Sequence, residues 1–532
     1  MTASRASAFL AVLVGGALFW GGTRAQDPPP PTSVPVAPQA NPLDRVGLVD
    51  TRSAGIPGWA WHGTSMAAAR ILVADLPSAP QSRVLRDVQF RLLTAATTPP
   101  RPDGATPLLY SVRVEKLAAM GEAENANELL RLGSGGEGPM TSRLVTEALM
   151  RVRQRDSACA RVHSAGEQLA ETWWRRAAII CHLHARQNDA ARAKLEALRA
   201  QGDADATFVA LAARILGGAK VPPVGPTEDG LTLALIDIAG LPTPTTGFDS
   251  PGVLRAAIEN KAIPLSRRVE LAERAERAGV IEPDRLTEFY KELSRGLKNA
   301  AATSPTAWRA VVFAQAQGAA SNEQRVVLAH RLVQVSRDTA GSAIRALSPA
   351  ITAARPTPIH AEFAGAGLLA ALTLERFDRA GEWFKAARGG SAEQVADRMA
   401  LLAPLAAMAR LPDRLPLDAK MMERRAALRP RTAAALHAVL TALEAAPREA
   451  LAPLAAGAAR SPRDPAITAL LAAAEAERFS ETICRAAALA GSTPLAGLEP
   501  AKVAAILRAL VRINRRDVAR SFAIEYAMLA DL

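Results

Sequence analysis

After residue 43, apolar residues recur at the three- and four-residue spacing of an α-helix, and the alternation expected of a strand almost never occurs. Folded structure is expected to start near Leu43–Asp50. The spacing predicts helices at Ser65–Leu76, Ser82–Ala95, Leu108–Met120, Glu124–Leu132, Thr141–Arg153, Ser157–Ala165, Glu171–Arg186 and Ala190–Arg199, with Pro and Gly between many of them. Residues 217–250 read as a linker around one short helix, Leu231–Ile238. Helices then run almost to the end, with breaks at Ala353–Pro358, Gly389–Ser391 and Leu411–Asp418. The expected fold is all-α, with one helical domain at 46–216 and a second at 251–532.

Four places repeat one pattern. A helix ends in a turn residue, Ala follows five positions on, and an apolar residue follows four beyond that. They are Gly121/Ala126/Leu130, Arg186/Ala191/Leu195, Glu375/Ala380/Phe384 and Asn514/Ala519/Ala523. The pattern resembles the second-helix entry of tetratricopeptide-type repeats, where a small residue lets two helices cross closely. The copies keep no fixed period, so the expectation is an irregular α-solenoid of antiparallel helix pairs, with compact bundles as the alternative. In pattern and leader together the chain is similar to exported, Ala-rich helical-repeat proteins of alphaproteobacteria. That resemblance implies an architecture and an export route, and brings no activity with it.

The N-terminus follows the order of a secretory signal. Arg5 supplies the charge, Ala8–Trp20 is an uncharged apolar run of 13 residues, and Thr23-Arg24-Ala25 places small residues around a cleavage position. Cleavage is expected after Ala25, leaving a Pro-rich linker at 26–45 and a mature chain in the periplasm or beyond. An uncleaved anchor is the alternative, but a spanning helix needs about 20 apolar residues.

Composition changes this picture in two ways. Aromatic residues are only 4% of the chain, and nine Lys stand beside 55 Arg, giving a net charge of +12. A basic chain favours anionic partners. Export and the scarcity of aromatics near the Arg clusters argue against nucleic acid. Other envelope proteins are the expected partners, with an anionic surface as a further option.

An oxidising compartment gives the cysteines meaning. Cys159 and Cys181 lie on neighbouring predicted helices, and a disulfide pinning that hairpin is the first reading. The sharper alternative is a zinc site built from Cys159, His163, Cys181 and His184, which stand at helical spacings. Cys484 sits in an apolar stretch and reads as a buried small hydrophobe.

Candidate catalytic motifs fail on context. Gly63-Thr64-Ser65-Met66-Ala67 resembles the serine motif of subtilisin-like proteases, but only 14 residues separate Asp50 from Ser65 and no histidine motif exists. A helix cap is the expectation there. Gly133-Ser134-Gly135-Gly136-Glu137-Gly138 fits a dinucleotide fingerprint without the required preceding strand. With no P-loop, HExxH, EF-hand or CxxC, neither a catalytic residue nor a cofactor is expected.

Candidate partner-binding residues are Trp173, Trp174, Arg175 and Arg176, where aromatics and Arg adjoin, and the cluster Arg424, Arg425, Arg429 and Arg431. The alternative for each is a solvated helix face with the Trp residues in the core. Glu270, Glu273 and Glu276 interleave with Arg267, Arg268, Arg274 and Arg277 and read as an exposed mixed-charge face. The expected function is a non-catalytic periplasmic scaffold or adaptor. A cell-wall-metabolism enzyme or accessory, or a binder of anionic lipid or polysaccharide, is the alternative.

Overall fold

The helical period becomes 28 α-helices among the described residues, and the nearest approach to a strand is one isolated bridge between Val49 and Ala95. The computed structural model describes residues 41–133, 138–202, 205–218, 221, 223–246, 249–297, 304–339, 341–455, 464–492 and 494–532. The expected leader and cleavage position, most of the Pro-rich stretch and residues 134–137 of the Gly-rich loop lie outside these. None of the described helices is long and apolar enough to cross a membrane.

The first group is α1 (Thr51–Ala54), α2 (Met66–Ala74), α3 (Arg83–Thr94), α4 (Leu109–Ala119), α5 (Ala123–Leu132), α6 (Pro139–Arg151), α7 (Arg155–His163), α8 (Thr172–His184), α9 (Asn188–Ala200), α10 (Ala206–Ile215) and α11 (Gly230–Ile238). The second is α12 (Pro251–Glu259), α13 (Leu265–Arg277), α14 (Pro283–Gly296), α15 (Pro305–Gln317), α16 (Asn322–Gln334), α17 (Ser342–Ala346), α18 (Ser348–Ala353), α19 (Ala364–Thr373) and α20 (Phe377–Ala386). The third is α21 (Ala392–Met408), α22 (Ala419–Leu428), α23 (Ala433–Ala442), α24 (Arg448–Leu451), α25 (Pro465–Glu475), α26 (Phe479–Ala490), α27 (Pro500–Arg512) and α28 (Arg516–Leu529). From α4 to α9, and again from α12 to α16, each helix packs on the next.

The turns explain why neighbours pair so tightly. Gly121, Arg186, Glu375 and Asn514 all adopt a left-handed backbone, with φ of 80°, 57°, 54° and 60°. The amide after each reaches back to a carbonyl of the preceding helix: Glu122 to Leu117, Gln187 to His182, Arg376 to Ala371 and Arg515 to Leu510, at 2.8–3.0 Å. This is a Schellman ending, which satisfies orphan carbonyls of the last helical turn. The next helix starts at once, and the small residues Ala126, Ala191, Ala380 and Ala519 are fully buried where the two helices meet. Arg153 and Glu477 make the same left-handed turn, followed by buried Ala158 and Thr482.

The path closes on itself. α26 packs on α2 and α3, and α28 packs on α3. The Ser480 amide donates to the Ala60 carbonyl at 2.9 Å, and the Trp59 ring meets Phe479 edge-on at 6.2 Å. One apolar core therefore combines residues from Ala54 to Val253 with others from Val326 to Ala527, while a second fills the region from α12 to α19. The stretch 217–250 contains α11, which is buried against α6, α8 and α10.

Polar groups settle several local questions. Ser65 caps α2, accepting the Ala68 amide at 3.2 Å, and Asp50 caps α1, accepting the Ser53 amide at 2.9 Å. The Ser65 cap is the role expected where the sequence imitates a protease motif, and Asp50 proves to be a cap as well. Arg113 is buried and donates to the carbonyls of Leu93, Ala95 and Val46 at 2.8, 3.0 and 2.9 Å. It ties the entering chain to the end of α3, and burial pushes its pKa down to about 10.

Candidate functional site

The charged face expected to be exposed on α13 is instead partly interior. Glu273, Glu276 and Arg268 are buried, because they fall in helical register with Val269 and Ala272 on the packed side. Arg309 of α15 holds Glu273 through Nε at 2.8 Å and through its second terminal nitrogen at 2.6 Å, and the Tyr290 hydroxyl donates to the same carboxylate at 2.7 Å. Burial pushes the Glu273 pKa up against the pull of Arg309.

Glu276 belongs to a second network. Arg345 of α17 donates to it twice, at 2.7 and 2.8 Å, and Arg83 of α3 donates to its backbone carbonyl at 2.5 Å. Arg83 also reaches the Glu282 carboxylate at 3.3 Å. Burial works against the Arg345 charge, but Glu276 more than offsets it and the guanidinium pKa is raised. Beside this network Glu525 of α28 accepts the Ser82 hydroxyl and the Arg83 amide. Burial raises the Glu525 pKa despite those donors. Elements from the first, second and third groups of helices are thus locked together by buried charge. Breaking one partner of such a pair costs several kcal/mol, roughly 3–5 in the interior.

Of these residues Arg83, Glu282, Arg345 and Glu525 line a cleft of about 810 Å³ between α3, the start of α14, the turn from α19 to α20, and α28. Six carboxylates line it, from Asp87, Glu282, Asp284, Glu375, Asp517 and Glu525, against four guanidinium groups, from Arg83, Arg91, Arg345 and Arg520. The cleft is acidic in a chain of net charge +12. Arg91 pairs with Asp87, Asp517 with Arg515 at 3.0 Å, and the Arg520 guanidinium stacks 4.4 Å from the Phe377 ring centre. Asp284 and Glu375 stand exposed at the rim. The described lining holds no His, Cys or Lys. What the arrangement offers is recognition of positive charge in a walled recess.

The residues singled out from sequence are distributed differently. The sulfur atoms of Cys159 and Cys181 stand at disulfide distance, with Cα atoms 5.5 Å apart, joining α7 to α8. His184 instead bonds Asp156 through Nε2 at 2.9 Å, and His163 is exposed. Among the described residues no group of three or more His, Cys, Asp or Glu converges as metal ligands do. Cys484 is buried, and burial pushes its thiol up to about 12.

Trp173 and Trp174 are both core residues, packed edge-to-face at 4.9 Å, with the Arg143 guanidinium 5.2 Å from the Trp173 ring centre. Arg175 donates to the Ala170 carbonyl at 2.9 Å, and Arg176 lies 3.7 Å from Asp205 and over Phe208. The second Arg cluster is not one patch. Arg424 pairs with Asp397 at 2.5 Å, Arg429 pairs with Asp531, and Arg431 is exposed. Arg425 is buried, donating to the Arg429 carbonyl at 3.2 Å and the Thr432 hydroxyl at 3.0 Å, and burial lowers its pKa to about 10. Its place is structural: it closes the end of α22.

Comparison with known proteins finds no matching family model, curated protein or solved structure.

Proposed function

We propose that this chain is a non-catalytic scaffold of the bacterial cell envelope, and that it holds a cationic segment of a partner protein in the acidic cleft. One observation carries the reading: a recess of about 810 Å³ with six carboxylates against four guanidinium groups, in a chain whose net charge is +12. A charge pattern opposed to the rest of the surface selects guests by sign and steers their approach. The buried locks at Glu276 and Glu525 support it, because a preformed recess costs less to occupy than one that must be ordered. The strongly basic remainder suits a position beside anionic envelope components.

The test is binding of an extended Lys/Arg-rich peptide, followed by fluorescence anisotropy, with an acidic peptide of equal length as control. The basic peptide should bind in a salt-sensitive way. Asp284→Lys combined with Glu375→Lys should weaken it by about tenfold or more. Partner capture with a photocrosslinker at Thr373 in cells should fail in the same double variant. Equal binding of both peptides, or indifference to the charge reversal, would sink the reading.

A further inference from the structure

Away from the acidic cleft, α8 and α9 form a shallow groove of about 310 Å³, closed at one end by the last turn of α7. Its charged lining is cationic, from Arg175 and Lys194, with His163, His182 and Gln201 as further polar groups. Arg175 and His182 come from α8, Lys194 from α9 and His163 from α7, and no carboxylate lines it among the described residues. Its floor is apolar, made by buried Val162 and Leu198. The space exists because Ala178 and Ala197 stand where larger side chains would fill it. On α8 the positions 175, 178 and 182, and on α9 the positions 194, 197 and 198 with Gln201 just past its end, keep helical spacing, so each helix offers one continuous wall.

The walls are held. Cys159 and Cys181 tie the helix carrying Val162 and His163 to the helix carrying Ala178 and His182. Arg175 bonds both the Ala170 carbonyl and the Gln201 side chain across the mouth, and His182 Nδ1 lies 2.7 Å from Gln187 Oε1. Lys194 is exposed on the groove wall, so its ammonium can reach a guest there.

We infer that this groove binds a single-chain carboxylate amphiphile, such as a medium-chain fatty acid. The carboxylate would meet Lys194 and Arg175, and the alkyl chain would lie on Val162, Ala178 and Leu198. Charge complementarity sets the sign of the head group. An apolar floor under a cationic rim sets the rest of the ligand, since small-molecule sites combine apolar walls with a few polar groups that orient the guest. A volume at the small end of such sites suits one short chain and not the paired chains of a phospholipid.

Isothermal titration of the full chain with decanoate, kept below micelle formation, tests this directly, with decanol as the neutral analogue. Saturable one-to-one binding is expected, with decanol weaker by about tenfold, the worth of a charge-assisted contact. Lys194→Gln should weaken decanoate by about the same factor. Ala197→Leu should abolish binding; residue 197 is exposed, so this change fills the groove without entering the core. Unchanged circular dichroism in both variants would confirm that folding is intact.

Equal binding of decanol and decanoate would overturn the inference, as would full binding in Ala197→Leu or no saturable binding. Attachment to phosphatidylglycerol vesicles without binding of monomeric decanoate would also overturn it, leaving surface electrostatics alone. If decanoate binds, competition by those vesicles identifies membrane lipid as a source of the chain, and lack of competition identifies the free acid.

Discussion

The carboxylate of Glu525, in the last helix, accepts the Ser82 hydroxyl at 2.5 Å and the Arg83 amide at 2.7 Å, closing contact across 443 positions of sequence. Ser82 itself caps α3 by accepting the Leu85 amide at 3.1 Å. A side chain from the far end of the molecule therefore completes a helix N-terminus, where negative charge is favoured by the exposed amides and the helix dipole.

Removing that carboxylate should cost stability. Glu525→Ala leaves buried donors on Ser82 and Arg83 without an acceptor, a loss of about 1–3 kcal/mol. Chemical denaturation of the variant should show the drop, and hydrogen exchange should show it at α3 as well as α28. An unchanged midpoint would mean that water replaces the carboxylate fully.

The same residue gives a pH signature. Burial raises the Glu525 pKa above its ordinary 4.5, so the folded state holds this proton more tightly than the unfolded state. Its contribution to stability is then complete below about pH 4.5 and is lost as pH rises through the raised value. Glu525→Gln, which cannot ionise, should flatten that part of the stability-against-pH curve. Glu273, also raised by burial, should behave alike in Glu273→Gln.

Gly367 lets α19 and α20 touch. A Cβ there would lie 2.1–2.5 Å from three ring carbons of Trp383. Gly367→Ala should therefore destabilise by roughly 1–3 kcal/mol through overpacking. Trp383→Leu in the same chain should recover part of the loss, a coupling visible in a double-mutant cycle by thermal melting.

The left-handed turns predict opposite signs for two glycine exchanges. Arg186 is exposed with φ 57°, a conformation that costs an L-residue about 1 kcal/mol, so Arg186→Gly should raise stability by about 0.5–1 kcal/mol. Gly121 has φ 80°, and an added Cβ would lie 3.0 Å from Pro251. Gly121→Ala should lower stability. Melting temperatures moving the same way in both would contradict this account.

Thiol titration separates the three cysteines. Denatured, unreduced protein should show one reactive thiol, Cys484, and reduced protein three. Native protein should show none, since Cys484 is buried with its thiol pushed up to about 12. Reduction should cost about 3 kcal/mol, the loop-entropy value for a closure of this length.

The all-α class was legible because period and turn residues agree along the chain. The helix-turn-helix signature was legible at Gly121, Arg186, Glu375 and Asn514, each of which adopts the backbone the pattern implies. Arg153 carries the same pattern through Ala158 and Val162, and at Glu477 Thr482 replaces the Ala. Several helices begin two residues earlier than predicted, as α7 and α9 do, because no loop intervenes after the turn. The cleft was not legible. Its locks join residues 83, 276, 345 and 525, which one sequence cannot bring together. The buried state of Glu273 and Glu276 could have been found, since both share the apolar register of Val269 and Ala272. Arg424, Arg425 and Arg429 looked like a patch because they are close in sequence, yet they face three different environments.

The Schellman turns also fix where this chain can change length. Each leaves no slack, so one inserted residue would rotate the following helix by roughly 100° and turn its apolar stripe away from its neighbour. Insertions and deletions should be excluded at Gly121, Arg153, Arg186, Glu375, Glu477 and Asn514, while residue identity should drift among Gly, Asn, Arg and Glu at all of these except Gly121, where Pro251 leaves no room for a Cβ. In a lineage of such proteins, spacing across these turns would outlast the residues that occupy them.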